Sequence, residues 1–214
     1  MCKIDNWSVR VLKNRIDSML YERTALSKKP DELIKHEIVE LKKGKITPPM
    51  VLKDPYILDF LELKDRYLEV DLEDAILREI EKFILELGSG FAFVARQKRI
   101  WIGDEEFVMD LLFYNRKLKR LILIELKLGK FKASYKGQVE LYLKWLDRYE
   151  KEEGENSPIG IILCADKQNE HIELLELDKS NIHVAQYLTV LPPRKELESK
   201  LRKALLKAKE KYSF

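Results

Sequence analysis

The feature that most constrains the fold is the segment LILIELKLGK at residues 121–130, where Glu125 and Lys127 interrupt a run of leucine and isoleucine. Such a run is typical of a β-strand that is buried on both faces. Burying an unpaired carboxylate or ammonium costs several kcal/mol, so these groups shift their pKa, pair with an opposite charge or bind a metal ion. The strand must therefore lie where both charges have partners.

A partner is present in the neighbouring apolar segment FVMDLLF, which contains Asp110. A hairpin centred on residues 117 and 118 sets Asp110 opposite Glu125, and cross-strand partners lie about 4.5–5.5 Å apart at Cβ. Residues two apart on a strand share a face, so Lys127 joins Glu125 while Leu126 faces the other side. The sequence predicts two carboxylates and one ammonium clustered on one face.

This cluster indicates a chemistry as well as a location. Like charges so close raise a pKa or attract a cation, and Mg²⁺ is held by one or two carboxylates together with water and phosphate oxygens. Lys127 would orient a water molecule or offset charge in the transition state, which predicts phosphodiester hydrolysis. The alternative is a structural ion cluster, because buried charges also pair without any catalytic role.

The remaining periodicity predicts an α/β domain in which helices flank a mixed central sheet. Helices are expected at 71–87, 133–150, near 168–176 and at 194–212, and strands at 91–102, 107–115, 121–128, 159–164 and 182–188. The first three strands form a meander because only short turns separate them.

The two ends of the chain differ from this body. Residues 7–29 predict an amphipathic helix, and the proline-containing stretch that follows is a charged linker with a short helix near 31–42. The final helix carries eight basic and three acidic residues from Arg194 to Tyr212, with an apolar stripe. We divide the chain into an N-terminal helical extension and linker (1–54), an α/β domain (55–193) and a C-terminal basic amphipathic helix (194–214).

Composition excludes several functional classes. The formal net charge of +3 does not by itself indicate nucleic-acid binding, so the placement of the basic residues matters. Two cysteines form no disulfide framework, which favours a reducing, cytoplasmic location. No apolar run reaches the roughly 18 residues of a membrane span, so no membrane association is expected. Scattered histidines argue against zinc, and the lack of a glycine-rich phosphate loop argues against a nucleotide cofactor.

Asp110, followed after 14 residues by Glu125, Leu126 and Lys127, resembles the D…(D/E)xK core of the PD-(D/E)xK nuclease superfamily. The blocks FILELGSGFAFVARQKRI, DLLFYNRKLKRLILIELKLGKF, GQVELYL and PIGIILC resemble the C-terminal nuclease domain of the YhcG-type family, over about residues 55–193. NWSVRVLKNRIDSMLYER resembles the stretch that links a winged-helix-like domain to that nuclease domain. Almost nothing precedes it here, so the recognition role of that domain is not carried over.

The resemblance implies a restriction-endonuclease-like core and a metal-dependent nuclease, with DNA a better substrate than RNA. It implies that Asp110 and Glu125 are ligands of Mg²⁺ or Mn²⁺ and that Lys127 is the catalytic lysine. Members of the superfamily usually add an acid from the first helix. Glu73 is the favoured candidate for that acid, and Glu79 is the alternative.

Polar and basic residues near these positions complete the expected site. Gln138, on the helix after Lys127, matches a position where the superfamily often places a polar residue beside the site, and Gln97 is a weaker candidate of the same type. The residues expected to bind nucleic acid are Arg96, Lys98, Arg116, Lys130, Lys132 and Lys136.

Two hypotheses of another kind stay open. The chain could be a catalytically inactive nucleic-acid-binding or assembly module in which the buried charge cluster is structural. The N-terminal helix could also pair two copies of the chain as a homodimer.

Overall fold

A computed structural model describes residues 9, 20–26, 48–63, 68–167, 169–200 and 202–203 of the chain. These residues belong to two compact units. The larger is Tyr56–Thr189, and the smaller contains the described residues of Met1–Pro55 and Val190–Phe214. The predicted domain boundaries after residues 54 and 193 remain predictions.

One sheet organises the larger unit. Its six strands among the described residues follow the order β1-β6-β5-β4-β3-β2. Strands β2, β3 and β4 form an antiparallel meander, whereas β4, β5, β6 and β1 are joined by parallel pairings. The predicted mixed sheet is therefore confirmed. The strands are β1 (Tyr56–Ile57), β2 (Phe91–Ile102), β3 (Glu105–Asn115), β4 (Arg120–Lys130), β5 (Ile159–Asp166) and β6 (Ile182–Leu188).

Helices flank the sheet in the larger unit and make up most of the described smaller unit. None of the described helices is long and apolar enough to cross a bilayer. Short 3-10 turns lie at Asp59–Leu61 and Leu177–Ser180. The α-helices are α1 (Leu20–Leu26), α2 (Pro48–Val51), α3 (Glu69–Arg78), α4 (Ile80–Leu87), α5 (Tyr135–Tyr149), α6 (Asn169–Leu174) and α7 (194–200).

The prediction of one continuous helix over 71–87 is wrong. Glu79, with φ −109° and ψ 31°, separates α3 from α4. The break gives the two halves different neighbours, since α3 contacts β4 whereas α4 contacts β1 and β2. Apolar residues continue at helical spacing across Glu79, so the periodicity of the sequence contains no sign of the interruption.

Predictions for the smaller unit are tested only in part. The helix expected at 7–29 agrees with α1 at Leu20–Leu26, and the rest of that range, except residue 9, lies outside the described residues. The helix expected near 31–42 lies outside them as well. The final helix is confirmed over 194–200 and at 202–203, and the remainder of 194–212 is not among the described residues.

One core cluster of the larger unit lies between the sheet and α5. Val139, Leu143 and Leu146 of α5 pack against buried residues of β3, β4 and β5. A Cβ atom added at Gly160 of β5 would lie only 2.5 Å from Val139 Cγ1, so the helix approaches the sheet more closely than any side chain would allow. Each fully buried large apolar side chain contributes about 1.5–3 kcal/mol, and this packing fixes the strands that carry the charged residues.

Candidate active site

The predicted register of β3 and β4 is confirmed. Their main-chain pairing runs from Asn115–Arg120 to Leu111–Ile124, which places Asp110 and Glu125 at the next position. There side chains take over the hydrogen bonds. The Asp110 N–H donates to Glu125 Oε1 at 3.3 Å, and the Leu126 N–H donates to Asp110 Oδ2 at 2.9 Å. Each carboxylate thus accepts a main-chain hydrogen bond from the opposite strand, at the point where the ladder ends.

The other neighbour of Asp110 is Gln97 on β2. Pairs Arg96–Leu111 and Lys98–Met109 flank these two residues, so Gln97 lies across from Asp110. Gln97 has a φ of +43°, a conformation that non-glycine residues rarely adopt. Strained backbone of this kind concentrates at functional sites. The conformation of Gln97 therefore supports a functional site beside Asp110.

Both strands change their side-chain alternation at this point. Ala95 and Lys98 of β2 both lie toward α5, and so do Leu112 and Met109 of β3. Residues three apart in a regular strand point to opposite faces. Each strand therefore contains one extra residue at this point, and the register between the two strands stays the same. This paired kink carries the side chains of Gln97 and Asp110 into a cleft beside α3.

The pKa values of the Asp110 and Glu125 carboxyl groups are both raised. Burial raises the pKa of Glu125, which is 1% exposed, and the negative charge of Asp110 raises it further, to about 8. Burial also raises the pKa of Asp110, although hydrogen bonds from Leu126 and Gln97 and the charge of Lys127 oppose the increase. Two carboxylates that are costly to ionise together form a site for a compensating positive charge.

Lys127 supplies part of that charge. Its Nζ lies 3.3 Å from Glu125 Oε2 and 5.6 Å from the centre of the Tyr135 ring. Burial lowers the pKa of Lys127, but the charges of Glu125, Asp110 and Glu69 outweigh it, and the net effect is a raised pKa. The side chain is therefore an ammonium at neutral pH and can donate hydrogen bonds but cannot accept a proton.

Of the two candidate acids from the helical region, the structure brings Glu73 to the cluster. Gln97 Nε2 donates to Glu73 Oε2 at 2.7 Å. Burial and then the charge of Asp110 raise the pKa of Glu73. Glu79, in contrast, pairs with Lys82 at 2.7 Å on an exposed surface. Gln97, the weaker of the polar candidates, thus occupies the centre of the site.

The cleft beside these residues has a volume of about 480 Å³. Four carboxylates and one guanidinium face it, so it is acidic overall. Of the described residues, its lining includes Glu69, Val70, Glu73, Asp74, Arg96, Gln97, Asp110 and Leu126. Glu125 and Lys127 are not part of its lining, because they lie on the face of β4 that also carries Leu123 and packs toward α5. The predicted clustering of Asp110, Glu125 and Lys127 on one face is therefore wrong, although hydrogen bonds and charge couple the three groups.

Sequence reasoning missed Glu69 and Tyr142. Glu69 Oε1 accepts the Leu128 N–H at 3.0 Å, and its charge acts on both Asp110 and Lys127. The available signal was its spacing four residues before Glu73, which places both on one helix face. The Tyr142 hydroxyl donates to the Val108 carbonyl at 3.0 Å, two residues before Asp110.

Gln138 contacts the site through Tyr142. Its Nε2 donates to the Tyr142 hydroxyl at 2.9 Å. Burial raises the pKa of Tyr142, the Gln138 hydrogen bond lowers it, and the charges of Glu125 and Asp110 raise it again, so the hydroxyl lies within their field. The spacing of four residues between Gln138 and Tyr142 was a usable signal, because it aligns them on one face of α5.

The predicted basic residues do not share one environment. Arg96 lines the cleft, and Lys130 and Lys132 are exposed shortly after Lys127. The other three are directed elsewhere. Lys98 pairs with Glu150 at 2.9 Å, Lys136 donates to the Leu175 carbonyl at 3.0 Å, and Arg116 lies in the β3–β4 turn, about 20 Å along the strand from Asp110.

The donor set fits a hard divalent cation. Asp110 and Glu125 offer carboxylate oxygens whose pKa values are raised first by burial, and that of Glu125 also by the charge of Asp110. Among the described residues, no three histidine, cysteine, aspartate or glutamate side chains are grouped as a complete metal site. Mg²⁺ does not require such a cage, because it is usually bound by one or two carboxylates and keeps several waters.

Comparison with known proteins identifies the class. Residues 49–202 match the family model described as YhcG PDDEXK nuclease domain, and the chain belongs to this family. Membership confirms both the predicted family and the restriction-endonuclease-like fold of the helix-flanked mixed sheet.

The chain is similar to "Putative nuclease YhcG" of Escherichia coli (strain K12), with 40% identity over 197 residues. The match covers 91% of this chain and 52% of the relative, so the chain spans about half the length of that protein. Among solved structures it resembles a repair endonuclease from Pyrococcus abyssi, with 24% identity, 61% and 50% of the two chains covered and a TM-score of 0.39. The EndoMS–dsDNA2 complex gives 18% identity, 62% and 50% coverage and a TM-score of 0.41.

Proposed function

We propose that this chain hydrolyses phosphodiester bonds of nucleic acid, that it requires Mg²⁺ or Mn²⁺, and that it prefers DNA to RNA. The observation that supports this most strongly is the meeting of Asp110, Glu125 and Lys127 where the β3–β4 ladder ends. Perturbed carboxyl groups beside an open cleft are typical of catalytic sites. Membership in a nuclease-domain family supports the same reaction, and the preference for DNA follows what is usual in the superfamily.

Asp110 and Glu125 would hold the cation, and Glu73 would add a carboxylate at the cleft wall. When bound there, a divalent cation polarises the phosphodiester and lowers the pKa of a water molecule. The carboxyl groups must lose their protons to bind it, so binding releases protons below about pH 8, where Glu125 is protonated.

Lys127 would stabilise the negative charge that develops on the phosphate oxygens during attack by water. Its raised pKa keeps it protonated, so it donates hydrogen bonds and does not act as the general base. The contacts with Glu125 and the Tyr135 ring hold the ammonium in place before substrate arrives.

Gln97 would position the acidic residues. Its amide donates to Glu73 and also hydrogen-bonds Asp110, so one side chain on β2 fixes carboxylates that come from α3 and β3. Gln138 would act at one remove, by fixing the Tyr142 hydroxyl against the Val108 carbonyl. Such supporting residues commonly change metal affinity or activity 10-fold to 100-fold.

The basic residues would contact the substrate backbone. Arg96, Lys130 and Lys132 are the strongest of these proposals, because Arg96 faces the cleft and the two lysines are exposed and follow Lys127 within five residues. Contacts through Lys98, Arg116 and Lys136, a homodimer formed by the N-terminal helix, and a cytoplasmic location stay predictions.

A second candidate is an inactive nucleic-acid-binding or assembly module. It is favoured by the main-chain hydrogen bonds that both carboxylates already accept, since these give Asp110 and Glu125 a structural role without any cation.

Labelled single-stranded DNA, duplex DNA and RNA, each incubated with Mg²⁺, Mn²⁺ or a chelator, separate the two candidates. A nuclease cleaves only with the cation and prefers DNA, and Lys127→Ala abolishes cleavage. Lys144→Ala, an exposed lysine of α5 outside the site, is the matched control and retains full activity. Nucleic-acid binding without cleavage by either the parent or the variants would instead favour the inactive module.

A further inference from the structure

The β2–β3 hairpin extends beyond the sheet. Among the described residues, β3 pairs with β4 only over Leu111–Asn115, whereas it pairs with β2 out to Glu105. Past Gln97 and Asp110 the two strands therefore continue as a two-stranded ribbon. One face of this ribbon is covered by α5, as the contact between the Phe107 and Tyr142 rings shows, with centroids 6.2 Å apart.

The opposite face of the ribbon is open. Ile100, Ile102 and Phe107 pack with the cluster next to α5. Side chains alternate along paired strands, so the residues that alternate with these three point the other way. Trp101 is 63% exposed on this face, and the Arg99 side chain is 70% exposed. A tryptophan ring left in water is unusual for a residue that is normally well buried. The open face comprises Arg99, Trp101, Glu106 and Val108.

This face is continuous with the cleft. Gln97 and Asp110, where the ribbon begins, both line the cleft, and the paired kink turns them to the side that Arg99 and Trp101 also occupy. Trp101 pairs with Glu106, four residues from Asp110, which corresponds to about 13 Å along the strand. A nucleic-acid strand leaving the cleft would therefore meet Trp101 within a few nucleotides of the carboxylates.

We propose that the open face of the ribbon is a stacking platform for an unpaired base of the substrate strand, with Trp101 against the base and Arg99 beside the backbone. The proposal rests on the proposed nuclease function and narrows its substrate to nucleic acid with a single-stranded segment. In an intact duplex both faces of each base are stacked on neighbouring bases, so only an unpaired or extruded base can stack on the ring.

The charges on the ribbon confine the platform to its end beside the cleft. Arg99 Nη1 pairs with Glu106 Oε1 at 2.9 Å, which neutralises the nearest acid, and a guanidinium with five N–H donors retains others for a phosphate. Asp104 and Glu105 lie beyond Trp101 at the tip of the hairpin. Their negative charge repels phosphate groups of any strand, which limits the platform to the bases next to the cleft.

Binding measured by anisotropy in a chelator, with labelled oligo-dT and a blunt duplex, tests the platform without requiring cleavage. One stacked base contributes about 1–3 kcal/mol, so Trp101→Ala should weaken oligo-dT binding about 5-fold to 150-fold. Trp101→Phe should retain most of the affinity, and blunt-duplex binding should not change. Val94→Ala, an exposed apolar residue of the same strand, is the matched control and should bind like the parent.

The outcome is readable even if the nuclease proposal fails, because binding is measured without the cation. If cleavage occurs, Trp101→Ala should raise KM for a single-stranded substrate and leave kcat unchanged. Equal losses for duplex and oligo-dT, or no loss for either, would overturn the platform. A lower molecular mass of Trp101→Ala in light scattering, with unchanged oligo-dT affinity, would also overturn it and assign this face to a second copy of the chain.

Discussion

At both ends of the β3–β4 ladder, side-chain oxygens accept main-chain N–H groups, but the side chains differ. At the turn end, Asn115 is fully buried, and its Oδ1 accepts the N–H groups of Lys117 and Leu118, both at 3.0 Å. At the other end, Asp110 and Glu125 accept main-chain N–H groups across the strands. In both places a side-chain oxygen satisfies main-chain donors where regular pairing stops.

The difference lies in charge. The Asn115 amide has no proton to lose, whereas burial and mutual repulsion raise the pKa of both Asp110 and Glu125. A neutral amide would close the ladder at either end without that cost. Residues that oppose the stability of a fold are expected at functional sites, which supports the proposal that Asp110 and Glu125 serve an active site.

The largest expected effect is loss of cleavage in Asp110→Asn. The amide oxygen can still accept the Leu126 N–H, so the fold should persist, but a neutral side chain binds a divalent cation poorly. We expect the cleavage rate to fall at least about 100-fold, the scale seen when one preorganised charge-stabilising group is lost. Cleavage rates and thermal melts of the same samples check this. An active Asp110→Asn would contradict a catalytic difference between the two ends.

The second prediction concerns pH. The folded state of the cation-free protein binds the Glu125 proton more tightly than the unfolded chain does. Stability from this group is therefore complete below about pH 4.5 and is lost as the pH rises toward 8. We expect the free energy of unfolding in a chelator to fall by a few kcal/mol across that range. Urea titrations of the parent and Glu125→Gln measure it.

Glu125→Gln should show a flatter profile, because the variant has no proton to lose at this position. Saturating Mg²⁺ should restore much of the stability of the parent at pH 8. A parallel decline in the parent and the variant would mean that other groups cause the pH dependence.

Asn115→Ala should lower stability and leave the cleavage rate unchanged, whereas Asp110→Asn should lower the cleavage rate and preserve the fold. Removing a buried acceptor leaves the Lys117 and Leu118 N–H groups without their partner, which costs about 1–3 kcal/mol. The cleavage rate per folded molecule should stay that of the parent, since the turn end is remote from the carboxylates. Denaturant midpoints and active-site-normalised rates give the two readouts. A strong loss of rate in a fully folded variant would link the turn end to catalysis.

The smallest expected effect is a difference in stability between two Gln97 variants, which distinguishes backbone strain at this residue from its role in activity. Gln97→Ala and Gln97→Gly both remove the amide that holds Glu73, so each should lower activity by about 10-fold. Glycine accepts a φ of +43° without a Cβ penalty, so Gln97→Gly should be about 1 kcal/mol more stable than Gln97→Ala. Equal stability of the two variants would mean that the conformation stores no strain.

The strands could be predicted because each one has a recognisable pattern in its own stretch of sequence. The predicted range 182–188 agrees with β6, the predicted range 91–102 agrees with β2, and the β3–β4 register followed from the turn alone. Hydrophobic runs and turn residues act through neighbours in the sequence, which makes them legible. For the same reason the meeting of Asp110 with Glu125 could be predicted without coordinates.

The supporting residues depend on partners that are distant in sequence. The residues next to Gln97 in the sequence do not predict its φ of +43°. This conformation accompanies the kink that β2 shares with β3. Lys98 looks like a phosphate ligand in the sequence, yet its partners are Glu150 and Trp145 of the α5 region. Glu69 acts on Asp110 because α3 contacts β4, a packing choice that helical periodicity does not encode.

Mn²⁺ binding measured by calorimetry at pH 8 tests the central claim most directly, with the parent, Asp110→Asn and Asn115→Ala compared side by side. If the charged end of the ladder is a cation site, the parent and Asn115→Ala should bind Mn²⁺ saturably, and Asp110→Asn should not. Equal binding by the parent and Asp110→Asn, or no binding by the parent, would contradict the account.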